Sequence, residues 1–136
     1  MSNLIIYYSF SGSTKKIAEE LARKDSADIY EIKDSKPLGK LKAYTAGIIA
    51  SIKGKAWLIK PPDIDISKYD KIIMLAPVWA NNPPPAFYAM LEYLPSDKPI
   101  NIKMVSASGK SNCKDRLESI IKEKGSTLES FEDVKA

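Results

Sequence analysis

The chain has 136 residues, 44% of them apolar and 28% charged, a net charge of +4, no histidine and one cysteine, Cys113. This is enough chain for one domain with one filled core, and the balance of apolar to charged residues is that of a soluble globular protein. The absent histidines exclude imidazole acid–base chemistry and histidine-ligated metals; the lone cysteine excludes an internal disulfide and a cysteine-held metal or iron–sulfur site; no apolar run is long enough to cross a bilayer.

Any reactivity is therefore expected to belong to a bound cofactor. The N-terminus runs straight into an apolar segment, from which we expect no signal peptide and a cytoplasmic location. Residues 3–8 carry Leu4, Ile5, Ile6, Tyr7 and Tyr8 without alternation, the mark of a strand buried on both faces. From Thr14 the period lengthens, with Ile17, Ala18, Leu21 and Ala22 at helical spacing. The turn between them, Ser9-Phe10-Ser11-Gly12-Ser13-Thr14, joins the carboxyl end of a strand to the amino end of a helix. Unpaired N–H groups and the positive end of the helix dipole converge there, which suits a phosphate. The hydroxyls of Ser9, Ser11, Ser13 and Thr14 add neutral donors. No lysine interrupts the loop, unlike the nucleotide-triphosphate loop that ends in Gly-Lys-Ser/Thr, so a terminal phosphate monoester fits it better. A plain strand-to-helix turn capped by Ser or Thr would read the same way.

A second strand is expected over residues 27–33, with Ile29, Tyr30 and Ile32, followed by a break at Pro37 and Gly39. A helix is expected over residues 40–54, with Leu41, Tyr44 or Thr45, Ile48 and Ile52 on one face. Pro61-Pro62 ends that region and a loop leads to residues 71–76, another continuous apolar strand. This strand runs into Pro77-Val78-Trp79-Ala80-Asn81-Asn82 and three prolines that can start a helix. That helix carries Phe87, Tyr88, Met90, Leu91 and Leu94, and Pro95 closes it. Residues 100–106 read as a fourth strand, opening onto Ser106-Ala107-Ser108-Gly109. A helix through Leu117, Ile120 and Ile121 ends at Lys124-Gly125, and residues 127–131 read as a short fifth strand.

Alternating buried strands and helices imply an α/β fold with a doubly wound, open parallel sheet and one domain over residues 1–136. In such sheets ligands bind beyond the carboxyl ends of the strands. The loops at residues 9–14, 77–82 and 106–112 all follow strands and are expected to meet at one sheet edge. Charge is uneven: residues 33–60 hold seven lysines against Asp34 alone, a segment charge of +6 that leaves −2 for the rest. This is either a solvated basic face or a docking surface for an acidic protein, a phosphorylated ligand or an anionic membrane surface. Nucleic acid is not expected, because no binding module is recognisable.

On these loops the chain resembles the flavodoxins, and among them the short flavodoxin-like proteins, from the first strand to about the fifth. The resemblance implies five strands in the order 2-1-3-4-5 and an FMN cofactor. It implies that Ser9, Ser11, Gly12, Ser13 and Thr14 hold the FMN phosphate, with Ser13 standing where the family usually has Asn. It implies that Pro77, Val78, Trp79, Ala80, Asn81 and Asn82 pack on the isoalloxazine ring, with Trp79 offering a flat face for stacking. Ser106, Ala107, Ser108 and Gly109 match the loop bordering the other side of the flavin. No catalytic residue and no metal site is implied. A peptide that flips near flavin N5 is a family device; no glycine lies in Ala80-Asn81-Asn82, but Asn tolerates positive φ. Trp57 is expected to pack in the basic insertion, and Cys113 is either a thiol of lowered pKa at a helix start or an inert buried one.

Two departures from the family bear on function. Typical flavodoxins are acidic, whereas this chain is basic and places Lys110 and Lys114 beside the third loop, which should stabilise a reduced, anionic flavin. The chain also stops at Asp133-Val134-Lys135-Ala136, so the last family helix is expected to be missing. Either another subunit or partner covers the sheet face left by it, which makes a homodimer an expectation, or the ending is irregular. The function that the resemblance implies is an FMN-binding redox protein carrying electrons between partner proteins. An NAD(P)H-dependent quinone or flavin reductase on the same scaffold, and a flavin-free binding module, are the alternatives.

Overall fold

The computed structural model describes residues 2–35, 46, 49 and 58–136. The helix expected over residues 40–54 lies largely outside the described residues, as do Trp57 and Lys36, Lys40, Lys42, Lys53 and Lys55; Ala46 and Ile49, within that span, are helical. The elements are β1 (Asn3–Tyr7), α1 (Ser13–Asp25), β2 (Asp28–Glu31), a 3-10 turn (Ile66–Lys68), β3 (Lys71–Pro77), α2 (Pro85–Leu91), β4 (Pro99–Ser106), α3 (Lys114–Glu123) and β5 (Thr127–Lys135). All sheet pairings are parallel and the strand order is β2-β1-β3-β4-β5, the order expected. Among the described residues no helix is long and apolar enough to cross a membrane.

The unalternated strands are buried on both faces because helices cover both. On one face Leu4, Ile6, Ile72, Met74, Ile100, Ile102 and Met104 join Phe87, Met90 and Leu91 of α2 and Leu117 and Ile121 of α3 in one cluster. Each such side chain contributes about 1.5–3 kcal/mol by leaving water. On the other face Ile5, Tyr7, Ile73 and Leu75 pack with Ala18 of α1, flanked by Ile17, Leu21 and Ala22.

Two elements differ from expectation. Pro84 and Pro85 start α2 as N-cap and first helical residue, but its regular part ends at Leu91. The N–H groups of Glu92, Tyr93 and Leu94 each reach back three residues, to Ala89, Met90 and Leu91, so the chain tightens before Pro95 while Leu94 stays buried. β5 is nine residues long rather than five. A register shift opposite Ile100 and Asn101 interrupts its alternation, so Leu128 and Phe131, three apart, both pack on the large core cluster. As expected, no helix follows β5 within the described residues; the face of β4 and β5 beside α1 is polar. Asn101 and Lys103 stand in register with Ile73 and Leu75 and share their face. Asn101 Oδ1 accepts from Ser130 Oγ, and Lys103 Nζ pairs with Glu132.

Candidate functional site at the carboxyl edge of the sheet

The first loop is built by the end of β1. Tyr8 N–H donates to the Leu75 carbonyl at 3.0 Å and Ile32 N–H to the Tyr7 carbonyl at 2.7 Å, so β1 stays tied to both neighbours up to the loop. Tyr8 is buried, and its hydroxyl donates to Asp34 Oδ2 at 2.9 Å. Burial, then the Asp34 charge, push its pKa well above the ordinary phenol range. Ser9 Oγ then accepts from Gly12 N–H at 3.1 Å and Lys15 N–H at 3.3 Å, drawing the turn against the start of α1. Gly12 is the N-cap at φ +103, and a Cβ on it would meet nothing within 4 Å: the backbone requires glycine and the space beside it is open. Ser11 and Ser13 are exposed, Ser9 half-buried and Thr14 buried. The first-turn amides of α1 have no acceptor within the helix, and Lys15 and Lys16 follow, both exposed.

The second loop leaves β3 with Val78 N–H on the Val105 carbonyl at 3.2 Å. Trp79 and Asn82 exchange both backbone hydrogen bonds, at 2.7 and 3.0 Å, around Ala80 at φ 50 and Asn81 at φ 67. Two successive positive φ values make this a type I′ turn. Asn81 was legible as a residue tolerant of that region; Ala80 was not, since alanine carries no signal for it. Trp79 is only 4% exposed. Its indole meets the Phe10 ring edge-on at 5.3 Å and the Tyr8 ring at 6.1 Å, so first and second loops share an aromatic cluster.

The third loop satisfies itself. Gly109 N–H donates to Ser106 Oγ at 3.0 Å and Lys110 N–H to Ser108 Oγ at 3.3 Å, while Ala107 and Ser108 are exposed. Gly109 has φ +69, and a Cβ there would lie 3.2 Å from Lys135 Cβ, so β5 closes over the loop's base. Beyond it, Asn112 N–H donates to the Asn81 carbonyl at 3.0 Å. Arg116 of α3 donates from Nη1 to Asn82 Oδ1 and to the Tyr88 hydroxyl, both at 3.0 Å. Second and third loops are thus joined, and all three loops stand at the carboxyl ends of adjacent strands β1, β3 and β4. Phe10, Asn112 and Arg116 were not singled out from the sequence. Arg116 had one available signal, being one of two arginines beside nineteen lysines, the residue type suited to a forked contact. Cys113 is 1% exposed at the start of α3; burial raises its thiol pKa, against a weaker opposing hydrogen bond to Ser111.

A doubly wound sheet whose order reverses between β1 and β3, with its loops gathered over that switch point, defines the flavodoxin-like α/β class. The comparison with protein families agrees: the flavodoxin family matches residues 2–128, and the chain belongs to that family. No curated protein matches the sequence. Among solved structures, a flavoprotein from Lactobacillus acidophilus NCFM in complex with FMN is 24% identical, over 96% of this chain and 91% of that one, with a TM-score of 0.76. General stress protein 14 from Treponema denticola in complex with FMN is 14% identical over 100% and 87%, at 0.60. An NADPH-quinone reductase from P.pentosaceus is 9% identical over 96% and 84%, at 0.59. At these identities the likeness is one of fold.

Proposed function

We propose that the protein binds FMN over the β1–β3 switch point and carries electrons between partner proteins. The observation that carries this reading is the loop after β1. Its backbone turns at Gly12 into open space, its exposed hydroxyls are Ser11 and Ser13, and the first-turn amides of α1 and the Lys15 and Lys16 side chains adjoin it. These groups fit a phosphate dianion. When bound, the flavin supplies the electron-accepting ring; the chain binds its phosphate through residues 9–14 and borders its ring with residues 77–82 and 106–109. Acidic redox partners suit Lys33 and Lys60, which are exposed and held side by side by the Lys60 N–H bond to the Lys33 carbonyl at 2.8 Å.

A second reading, an NAD(P)H-dependent quinone or flavin reductase, is favoured by Lys110, Lys114 and Arg116, which gather positive charge beside the third loop and favour a fully reduced, anionic flavin. One experiment addresses both. The purified protein is titrated with FMN and with riboflavin, followed by flavin absorbance and emission, and the loaded protein is then mixed with NAD(P)H and a quinone. We expect saturable, emission-quenching FMN binding at least ~10-fold tighter than riboflavin, about 1.4 kcal/mol for the phosphate, and no steady NAD(P)H oxidation. Equal binding of the two flavins removes the phosphate-loop reading; rapid quinone-dependent turnover selects the reductase.

A further inference from the structure

The Trp79–Asn82 turn is held from more directions than a surface turn needs. The Ala80 carbonyl accepts from Asn82 Nδ2 at 2.8 Å, and the Asn81 carbonyl accepts from Asn112 N–H at 3.0 Å. Both peptides inside the turn therefore have a donor on their oxygen. The Asn82 side chain is itself oriented: its oxygen faces Arg116 Nη1 and its nitrogen faces Ala80, so neither the amide nor its flipped form is interchangeable. Arg116 is fixed in turn by the buried Tyr88 hydroxyl. The chain of contacts runs Tyr88, Arg116, Asn82, Ala80, from the core of α2 to a left-handed alanine.

We propose that Asn82 and Arg116 are positioning residues that lock the Ala80–Asn81 peptide in one orientation beside the flavin ring, so that the turn does not reorient when the ring gains charge. The inference rests on the FMN reading above. It gives the absence of glycine in Ala80-Asn81-Asn82 a consequence: reorienting the Ala80–Asn81 peptide would break the Asn82 Nδ2 bond, and a turn so held answers both electrons with the same set of contacts. Arg116 reaches the turn only through Asn82.

The discriminating variant is Asn82→Asp. It keeps an oxygen for Arg116 but sets an acceptor against the Ala80 carbonyl in place of a donor. Arg116→Lys keeps the charge and loses the planar guanidinium whose Nη1 reaches both Asn82 and Tyr88, and Tyr88→Phe removes one of those two Nη1 contacts. In the flavin-free protein, amide hydrogen exchange at Trp79 and Asn112 should quicken at least ~10-fold in Asn82→Asp, about 1.4 kcal/mol of local opening, less in Arg116→Lys, and not at all at β4 amides. In the FMN-loaded protein, a dithionite titration should show the equilibrium between one-electron-reduced flavin and its two neighbours shifted at least ~10-fold in Asn82→Asp and in the same direction in Arg116→Lys, with the unaltered protein showing the narrower separation of potentials. Unchanged exchange at Trp79 and Asn112 overturns the lock. Quickened exchange with unchanged potentials overturns the positioning role and leaves a structural one. If the unaltered protein binds no FMN, the functional reading falls and the role toward the ring falls with it, while the exchange data still decide whether the turn is locked. Should Asn82→Asp fail to fold, Arg116→Lys and Tyr88→Phe carry the same two readouts.

Discussion

Phe10 stands edge-on to the buried indole of Trp79 at 5.3 Å, with the two ring planes at 87°. The loop after β1 and the loop after β3 are therefore one packed unit, and a change in either is felt by the other. An edge-to-face pair contributes about 0.5–1.5 kcal/mol beyond area burial, and Phe10 is only half-buried, so Phe10→Ala should cost about 1–2 kcal/mol. Urea denaturation checks the loss. The same variant should red-shift the tryptophan emission by opening Trp79 to water, and an unmoved spectrum would mean that Phe10 does not shield the indole.

Ala80 at φ 50 sits in a region where L-residues are strained by roughly 1–2 kcal/mol. Replacing it by glycine relieves that strain but costs roughly 0.5–1 kcal/mol in unfolded-state freedom. The relief outweighs the cost, so Ala80→Gly should stabilise the protein by about 0.5–1 kcal/mol, read as a higher denaturation midpoint with an unchanged slope.

The sheet was legible because Leu4-Ile5-Ile6-Tyr7 and Ile72-Ile73-Met74-Leu75 are unbroken apolar runs, which only a sheet covered on both faces requires. The meeting of the three candidate loops followed from the same pattern, since loops after β1, β3 and β4 must gather at one edge. What stayed hidden depended on pairing between distant segments. The full length of β5 was concealed by the register shift beside Asn101, which breaks the period-2 pattern a strand is read from. Trp79 packs on Phe10, sixty-nine positions away in the chain. The clamp of Arg116 on Asn82 crosses from α3 to the second loop, with no local pattern to announce it.

Tyr7 and Tyr8 make stability depend on alkaline pH. Burial, then the charges of Glu31 and Glu19, push the Tyr7 phenol from 10.0 up to about 12, and Tyr8 is raised further by burial and Asp34. The folded state thus holds these protons more tightly than the unfolded chain. Their contribution is complete below about pH 10 and is lost as pH rises toward and beyond 12. Unfolding free energy should fall more steeply above pH 10 in the unaltered protein than in Tyr7→Phe, and ultraviolet titration should show these two phenols ionising after an unburied tyrosine.

Cys113 begins α3, where a thiolate would gain from the helix dipole, yet burial dominates and raises its pKa. A thiol only 1% exposed and protonated at neutral pH is a poor nucleophile. An aromatic disulfide reagent should leave it unreacted for as long as the protein stays folded and label it at once in denaturant. Prompt labelling of the native protein would show that the start of α3 opens.

The polar face of β4 and β5 gives the last expectation. Asn101 is 6% exposed, its Oδ1 serves Ser130, and its Nδ2 has no partner among the described residues. A buried donor left unpaired costs about 1–3 kcal/mol, more than the ~1 kcal/mol that a neutral hydrogen bond contributes. Replacing both partners, as Asn101→Val with Ser130→Val, should therefore stabilise the fold by about 1–2 kcal/mol. It should also join Ile73 and Leu75 to Val105 and Val134 in one apolar surface beside α1, and sedimentation should then show the variant associating more strongly than the unaltered chain. If stability does not rise, the Asn101 amide has a donor's partner after all; if association does not rise, Lys103 and Glu132 are sufficient to keep that face apart from a second copy.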